Sequence, residues 1–325
     1  MPNKILVVGG AGYIGSHMVK RLGEEGAQLT TLDNLVSGHR DAVLCGDFIE
    51  GDMADRQLLD ALLASQRFDA VMHFASHIEV GESVRLPAKY YRNNVANTLT
   101  LLEAMQAAGI DKFIFSSTAA IFGTPQYTPI DERHPRAPIN PYGRTKLMVE
   151  EVLGDYERAY GLRAVCLRYF NAAGADPAGR LGERHDPESH LIPLALQAAS
   201  GRRAQISMFG TDYDTPDGTC IRDYVHIADL CEAHWLALQA LLSGSPGAAY
   251  NLGNGEGFSV REVIETVRRV TGRPLVVKEE ARRAGDPPRL VADASAARTR
   301  LGWKPRYPSL ETIVEHAWNF ERTRS

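Results

Sequence analysis

The stretch "VVGGAGYIGSH", residues 7–17, governs how the rest of the chain reads. It overlaps the β-branched run "KILVV" (4–8) and opens a helical pattern at 14–24. Gly9, Gly12 and Gly15 stand at intervals of three. At a strand-to-helix turn, glycines allow a tight bend and let backbone N–H groups come close to a pyrophosphate. The helix N-terminus adds unpaired donors and a positive dipole end. The chain has 29 glycines, and glycines also serve plain helix–strand packing, so the spacing alone says little. Its position after a strand and before a helix is what identifies a dinucleotide loop.

Outward from this loop, strand-like runs alternate with helical ones. "QLTTLD" (28–33), "DFIE" (47–50), "FDAVMHFA" (68–75), "KFIFSS" (112–117) and "RAVCLRYF" (163–170) read as strands. Residues 14–24, roughly 88–108 and 141–160 read as helices, the second with Val95, Leu99, Leu102 and Gln106 at helical spacing. The alternation predicts an α/β fold, a Rossmann-type doubly wound parallel sheet, for residues 1–171. Beyond residue 171, "NAAGADPAGRLGERHDPESH" reads as a long polar loop. A helix near 191–200, a strand near 205–209, a helix 227–242, the strand "AYNLG", a helix 259–271 and a helical tail "TIVEHAWNFER" follow. Residues 172–325 are expected to form mainly a smaller C-terminal α/β substrate domain, with segments such as 222–245 packing back on the first.

The bulk properties exclude several classes. A net charge of −4 lacks the basic excess that non-specific nucleic-acid binding needs. No apolar run is long enough to span a membrane, and "MPNKILVVGG" enters a strand without a hydrophobic leader. Cys45, Cys166, Cys220 and Cys231 are widely spaced, as reduced thiols of a cytoplasmic protein would be. His185 and His190 invite a metal reading, but their flanking Asp and Glu suit a polar loop, and no metal is expected.

Other residues point to chemistry. Asp33 ends the second strand, eighteen residues after Gly15, where a carboxylate accepts from ribose hydroxyls and repels a 2′-phosphate. This favours NAD over NADP. Asp52 follows the third strand, where it could meet the adenine or simply close a turn. Thr118 follows the fifth strand, and carboxyl ends of parallel strands are where such sheets bind ligands. "NPYGRTKLMVE" (140–150) places Tyr142 and Lys146 four apart, on one helical face at the same edge. Tyrosine is a poor base at its ordinary pKa of ~10. A nearby ammonium and an oxidised nicotinamide are expected to favour its phenolate, by ~1–3 units. Tyr142 is thus a candidate general base for an alcohol that loses hydride to NAD.

Together these residues resemble the extended short-chain dehydrogenase/reductase superfamily. "GGAGYIGSH", "LDNL", "HFA…VGESV", "YYRNNV", "FSST", "PYGRTKLMVE", "LRYFNAAGA", "FGTDYDTPDGTCIRDYVH", "YNLGNG" and "RAGDPP…VADAS" resemble its UDP-glucose 4-epimerases, in order and over nearly the whole chain. The resemblance implies an NAD-dependent isomerase acting on a UDP-sugar. C4 gives up hydride as Tyr142 takes the 4-hydroxyl proton, the 4-keto sugar turns over, and both return on the other face. Thr118 would relay to Tyr142, and Lys146 would bond the nicotinamide ribose. Cofactor contacts carried over are Gly9, Gly12, Tyr13, Ile14, Gly15, Asp33, Asn34, Ser37, Gly38, Asp52, Met53, Phe74, Ala75, Ser76, Asn93, Ser116, Tyr142, Lys146 and Tyr169. Substrate contacts are Thr118, Tyr142, Asn171, Leu191, Phe209, Arg222, Tyr224, Arg283, Asp286 and Leu290, the arginines suiting a diphosphate. A homodimer paired through helices like 88–108 and 141–160 is also implied.

Three positions depart from the pattern. Ile78 stands where many relatives carry a lysine, which bears on one cofactor-phosphate contact. His190 stands before Leu191 where some have Asn. Leu290 falls where relatives vary between a bulky tyrosine and a small residue, leaving open a UDP-N-acetylhexosamine or UDP-pentose as substrate. A sugar 4,6-dehydratase would need carboxylates after Thr118, where Ala119 and Ala120 stand. A non-catalytic NAD-binding regulator would lack the Tyr142–Lys146 pair.

Overall fold

The computed structural model describes residues 2–283 and 286–324. β1 (Lys4–Val8) runs into α1 (Tyr13–Glu24), then β2 (Gln28–Asp33), β3 (Asp47–Glu50), α2 (Arg56–Ser65), β4 (Ala70–His73) and α3 (Val80–Arg85). A composite helix follows: α4 (Pro87–Tyr90), a π-helical turn (Tyr91–Ala96) and α5 (Asn97–Ala107). Then come β5 (Lys112–Thr118), a 3₁₀ turn (Ala119–Phe122), α6 (Pro141–Tyr160), β6 (Arg163–Tyr169) and β7 (Asn171–Ala173). The later chain forms α7 (Leu191–Ser200), β8 (Ile206–Phe209), β9 (Ile221–Arg222), β10 (Tyr224–His226), α8 (Ile227–Leu242) and β11 (Ala248–Leu252). It ends with β12 (Phe258–Ser259), α9 (Val260–Thr271), β13 (Val277–Glu280), β14 (Arg289–Leu290) and α10 (Leu310–Glu321).

Seven strands form one sheet in the order β11-β6-β5-β4-β1-β2-β3, all parallel. The order reverses between β1 and β4, the switch point at which a doubly wound sheet opens a crevice. Side chains alternate across the sheet as strand geometry requires. Ile5 and Val7 face a core with Met18, Leu22, Leu238 and Trp303 from α1, α8 and beyond, while Leu6 and Val8 face Leu59, Leu102, Val149 and Leu153 of α2, α5 and α6. Parallel strands covered on both faces need this two-sided apolarity.

A third core joins Ile192 and Leu196 of α7, Val263 and Val267 of α9, and Ile313 and Val314 of α10. Beside it β8 pairs with β13, and β9 lies between β12 and β14. The chain returns to the large sheet in between: α8 packs on α1, and β11 pairs with β6 as the outermost strand.

The stretch read as one helix over 88–108 is helical but not uniform. The π turn inserts at Tyr91–Ala96 because Asn94 is pulled inward, accepting from His77 N (2.9 Å) and donating to His77 O (3.0 Å) and Thr145 (3.2 Å). Such bulges favour sites where a side chain is re-aimed.

α6 is bolted to the sheet by buried charge. Glu150 accepts two hydrogen bonds from Arg168 of β6 (2.9 and 2.6 Å) and one from Ser117 of β5 (2.6 Å). Both partners are nearly sealed from water. Removing one member of a buried pair strands the other's charge, a cost of about 3–5 kcal/mol. Glu150→Gln should lower unfolding free energy by about that much in urea titrations. A loss below about 1 kcal/mol would show that the pair does not fasten α6.

Candidate active site

The glycine loop holds three different constraints. Gly9 has φ +82, and a Cβ there would sit 2.4 Å from the backbone nitrogen of Ala75. A Cβ on Gly15 would sit 2.1 Å from the carbonyl oxygen of Gly9. These two are needed by the turn itself. Gly12 differs: φ is −76, and the nearest protein atom to its Cβ would be Gly9 O at 3.5 Å. The protein has room for a side chain there, so the turn itself does not require this glycine. Gly12 is also the N-cap of α1 and offers no capping side chain, so the first-turn N–H groups point outward unpaired by a cap. A phosphate fits that donor set.

Asp33 lies at the carboxyl end of β2, 8% exposed. It accepts from Ala11 N (2.9 Å) and Leu35 N (2.8 Å), one bond on each oxygen, leaving lone pairs for ribose hydroxyls. Burial pushes its carboxyl up, against the two backbone N–H bonds. Gly38 presses on it, since a Cβ there would come within 2.8 Å of Asp33 Oδ1. Asn34 donates to Asp52 (2.8 Å), next to buried Met53. A small cleft between Gly12, Tyr13, Ser16 and Ser37 on one side and Gly182, Arg184 and His185 on the other adjoins the loop. These residues fit an adenosine diphosphate dinucleotide.

Farther along the same edge stand Phe74, Ala75 and Ser76 after β4, Ser116 and Thr118 on β5, and Tyr169 at the end of β6, paired with Thr118. Asn140 caps α6, accepting from Gly143 N (2.8 Å), and Pro141 takes the first helical position. Gly143 lets the helix close on the 3₁₀ turn, since a Cβ would lie 2.5 Å from Ala120 O. This approach sets Tyr142 beside Thr118. Lys146, one turn on and 2% exposed, donates to Ser76 Oγ (2.7 Å) and Ser116 O (2.8 Å).

Burial governs both ionisations. It pushes the Tyr142 phenol up to about 12, against a hydrogen bond from Thr118. It pushes the Lys146 ammonium down to about 7, against Glu150 and Cys166. The expected lowering of the phenol by the ammonium is therefore overridden in the protein alone, because desolvation penalises each charged form.

Other site residues fall into a second group. Asn171 donates its amide to Asp223 O (2.8 Å). Arg222 on β9 bonds Pro287 O (3.0 Å) and pairs with Asp286 (3.3 Å). Leu290 is paired with Arg222 in register and packs against the buried cluster of Ile121, Phe122 and Ile130. Arg283 lies over the Phe209 ring at 3.9 Å. Leu191 opens α7, while Tyr224 is buried in the third core. Ile78 is 36% exposed after β4. Asn93 donates to Asn94 Oδ1 (2.9 Å).

Asn94, Asn140, Gly143 and Asp223 escape the sequence reading. Asp223 is fully buried and accepts from the backbone of Asn254 (2.7 Å), Gly255 (3.0 Å) and Ala292 (3.1 Å), so it shapes the floor under Arg222. The N-P-Y-G run, with Asn before Pro and Gly after, is the one signal that could have found the α6 cap.

Residues 5–253 match the NAD dependent epimerase/dehydratase family. The chain belongs to that family. A UDP-glucose 4-epimerase of Halalkalibacterium halodurans is 54% identical over 318 residues, covering 98% of this chain and 95% of the relative. The crystal structure of a UDP-glucose 4-epimerase from Brucella ovis in complex with NAD superposes with a TM-score of 0.96 at 51% identity, over 98% of each chain. One from Bifidobacterium longum in complex with NAD+ and UDP gives 0.94 at 36% identity, over 99% of this chain and 98% of that one. The Rossmann-type sheet is common to this epimerase/dehydratase family, and the glycine loop and Asp33 fit its NAD.

The two kinds of glycine separate by experiment. Gly12→Ala should keep stability within about 1 kcal/mol while weakening NAD binding at least about tenfold. Gly15→Ala should cost about 1–3 kcal/mol in denaturant titrations through overpacking. Equal NAD affinity for Gly12→Ala and wild type would remove the loop from cofactor binding.

Lys146 predicts a pH signature in the NAD-free protein. Its native pKa falls from 10.5 to about 7, so between these values the unfolded chain binds a proton that the native one does not. Stability then rises with pH across the window, and the burial penalty is full below about pH 7. Lys146→Met lacks this term, so its stability relative to wild type should be greatest near pH 7 and should decline toward pH 10. A difference constant with pH would show that Lys146 is not depressed.

Proposed function

We propose that this chain interconverts UDP-glucose and UDP-galactose by NAD-dependent inversion at C4. The observation that carries the reading is the meeting of Tyr142, Thr118 and Lys146 at the sheet edge that bears the glycine loop. Names of relatives at 54% identity over nearly the whole chain support it.

When bound, NAD supplies the hydride acceptor and donor for C4. The protein's own part is proton transfer and positioning. Tyr142 takes the 4-hydroxyl proton and returns it to the oxygen of the re-reduced sugar. Its phenol starts near 12, so it works only with positive charge close by. Lys146 is the protein's share of that charge. Two of its three donors go to Ser76 and Ser116, and the third is left for a ribose hydroxyl. Thr118 holds the 4-oxygen in line with Tyr142.

Arg222 and Arg283 take the diphosphate, with Asp286 at the uridine ribose and Asn171, Leu191, Phe209 and Tyr224 around the nucleotide-sugar. A solved relative that holds NAD+ and UDP together supports this assignment. Leu290, packed on the cluster of Ile121, Phe122 and Ile130, is the side chain proposed to favour hexoses over bulkier N-acetylated sugars. The active form proposed is a cytoplasmic homodimer paired through α5 and α6. Val84, Leu86 and Met148, apolar yet 63%, 53% and 44% exposed nearby, support pairing.

Incubation with UDP-galactose, without added reductant, should yield UDP-glucose, and UDP-N-acetylgalactosamine in parallel should react far more slowly. Tyr142→Phe should bind NAD and UDP yet lose at least about 100-fold in kcat. Turnover of neither sugar by NAD-loaded wild type would overturn the assignment. Near-normal turnover by Tyr142→Phe would remove the tyrosine as the base.

A further inference from the structure

Read from sequence as a polar loop, residues 183–190 fold so that four side chains converge. Glu183, His185, Glu188 and His190 each present one ligand atom, all within 4.8 Å of one another. His185 Nδ1 lies 2.9 Å from Glu183 Oε1 and 3.9 Å from Glu188 Oε1. His190 Nδ1 lies 2.7 Å and 3.1 Å from the same two oxygens. Around a tetrahedral zinc, with bonds of about 2.0–2.2 Å, neighbouring donors stand about 3.3–3.5 Å apart. The four nitrogen–oxygen separations, 2.7–3.9 Å, bracket that edge.

The chemistry of the donors agrees with the geometry. The Glu183 and Glu188 side chains are only 5% and 4% exposed, and their ion-pair partners are the two imidazoles. Both carboxylates are turned from water toward the two imidazole nitrogens, so four donor atoms of metal-binding type face one another. Two nitrogens and two oxygens suit a first-row divalent ion better than magnesium or calcium. The spacing Glu-x-His-x-x-Glu-x-His puts every ligand on one loop and leaves no open position, as in a structural site.

We propose that Glu183, His185, Glu188 and His190 bind one divalent zinc-class ion that staples this loop against the dinucleotide loop. The neighbours show what would be held. His185 meets the Tyr13 ring edge-on at 6.2 Å, and Tyr13 donates to Gly174 O (2.7 Å). Arg184 O meets His39 (3.0 Å), and the Arg184 guanidinium pairs with Asp41 (2.8 Å). Ser189 donates to Glu79 (2.7 Å). The loop is thus the far wall of the cleft beside Gly12 and Ser37. An ion here fixes that wall and slows escape of a bound dinucleotide. It takes no part in proton or hydride transfer.

The test uses the full-length, tag-free, NAD-loaded protein. Metal analysis after purification in zinc-containing medium should find one zinc per chain. After stripping with dipicolinate, Co2+ titration should saturate at one equivalent with the visible absorption of a tetrahedral site. The stripped protein should release NAD faster than the zinc form. Glu183→Gln with His190→Asn should bind Co2+ at least about 100-fold more weakly. If that variant does not fold, the wild-type titration alone decides. Wild type that neither retains zinc nor shows stoichiometric tetrahedral Co2+ overturns the proposal and leaves a Glu–His hydrogen-bond cluster. These readouts need no sugar turnover, so the metal site stands or falls apart from epimerisation.

Discussion

Everything at this sheet edge depends on two chain segments touching where no Cβ can stand. Gly15 lies against the carbonyl of Gly9, and Gly9 against the backbone of Ala75. That double contact brings the start of α1 down onto the ends of β1 and β4. It aims the helix's unpaired N–H groups along the edge and lets Ala11 reach the buried carboxylate of Asp33. A side chain at either glycine would lift the helix, and its N–H groups, Asp33 and the Tyr142–Lys146 pair would no longer share one line.

The second requirement is that charge be kept in reserve. Tyr142 and Lys146 are buried together, and each is pushed toward its neutral form. The protein by itself favours a phenol and holds an ammonium only with difficulty, through Ser76 and the carbonyl of Ser116. Such a site is set up to respond to a charged ligand: positive charge brought near the phenol changes its proton affinity far more in a dry environment than in water. Charge settled permanently elsewhere, as in Glu150 and Arg168, is paired at short range and holds the scaffold.

Much of this was legible in the residues. The first six strands stand where β-branched runs meet Gly or Asp, and α6 spans the 141–160 read from its pattern. The glycine loop and the Tyr142–Lys146 spacing point to one edge because strand order makes carboxyl ends coincide. What escaped was decided by distant partners. Asn94 forms its bonds to His77 and Thr145, so nothing local marks the π turn. α2 is only ten residues and follows a turn at once, too short for its periodicity to stand out. β14 has two residues and exists because Ile221 and Arg222 lie beside it. Asp223 reads as a loop aspartate until three backbone donors from two later segments close on it. The four converging side chains at 183–190 were visible as residues, but only the fold turns their polarity inward.

The outermost strand carries a consequence for how the molecule comes into being. β11 reaches β6 only after some eighty residues of intervening chain, and α8 closes over α1 on the way. During synthesis, the β6 edge with Val165 and Leu167 therefore emerges complete but unpaired, an adhesive margin for other chains. No fragment that stops near residue 171 has this margin covered. The nucleotide half and the later half are thus interlocked rather than strung in series: the ribosome must deliver residue 252 before the earlier sheet can be finished.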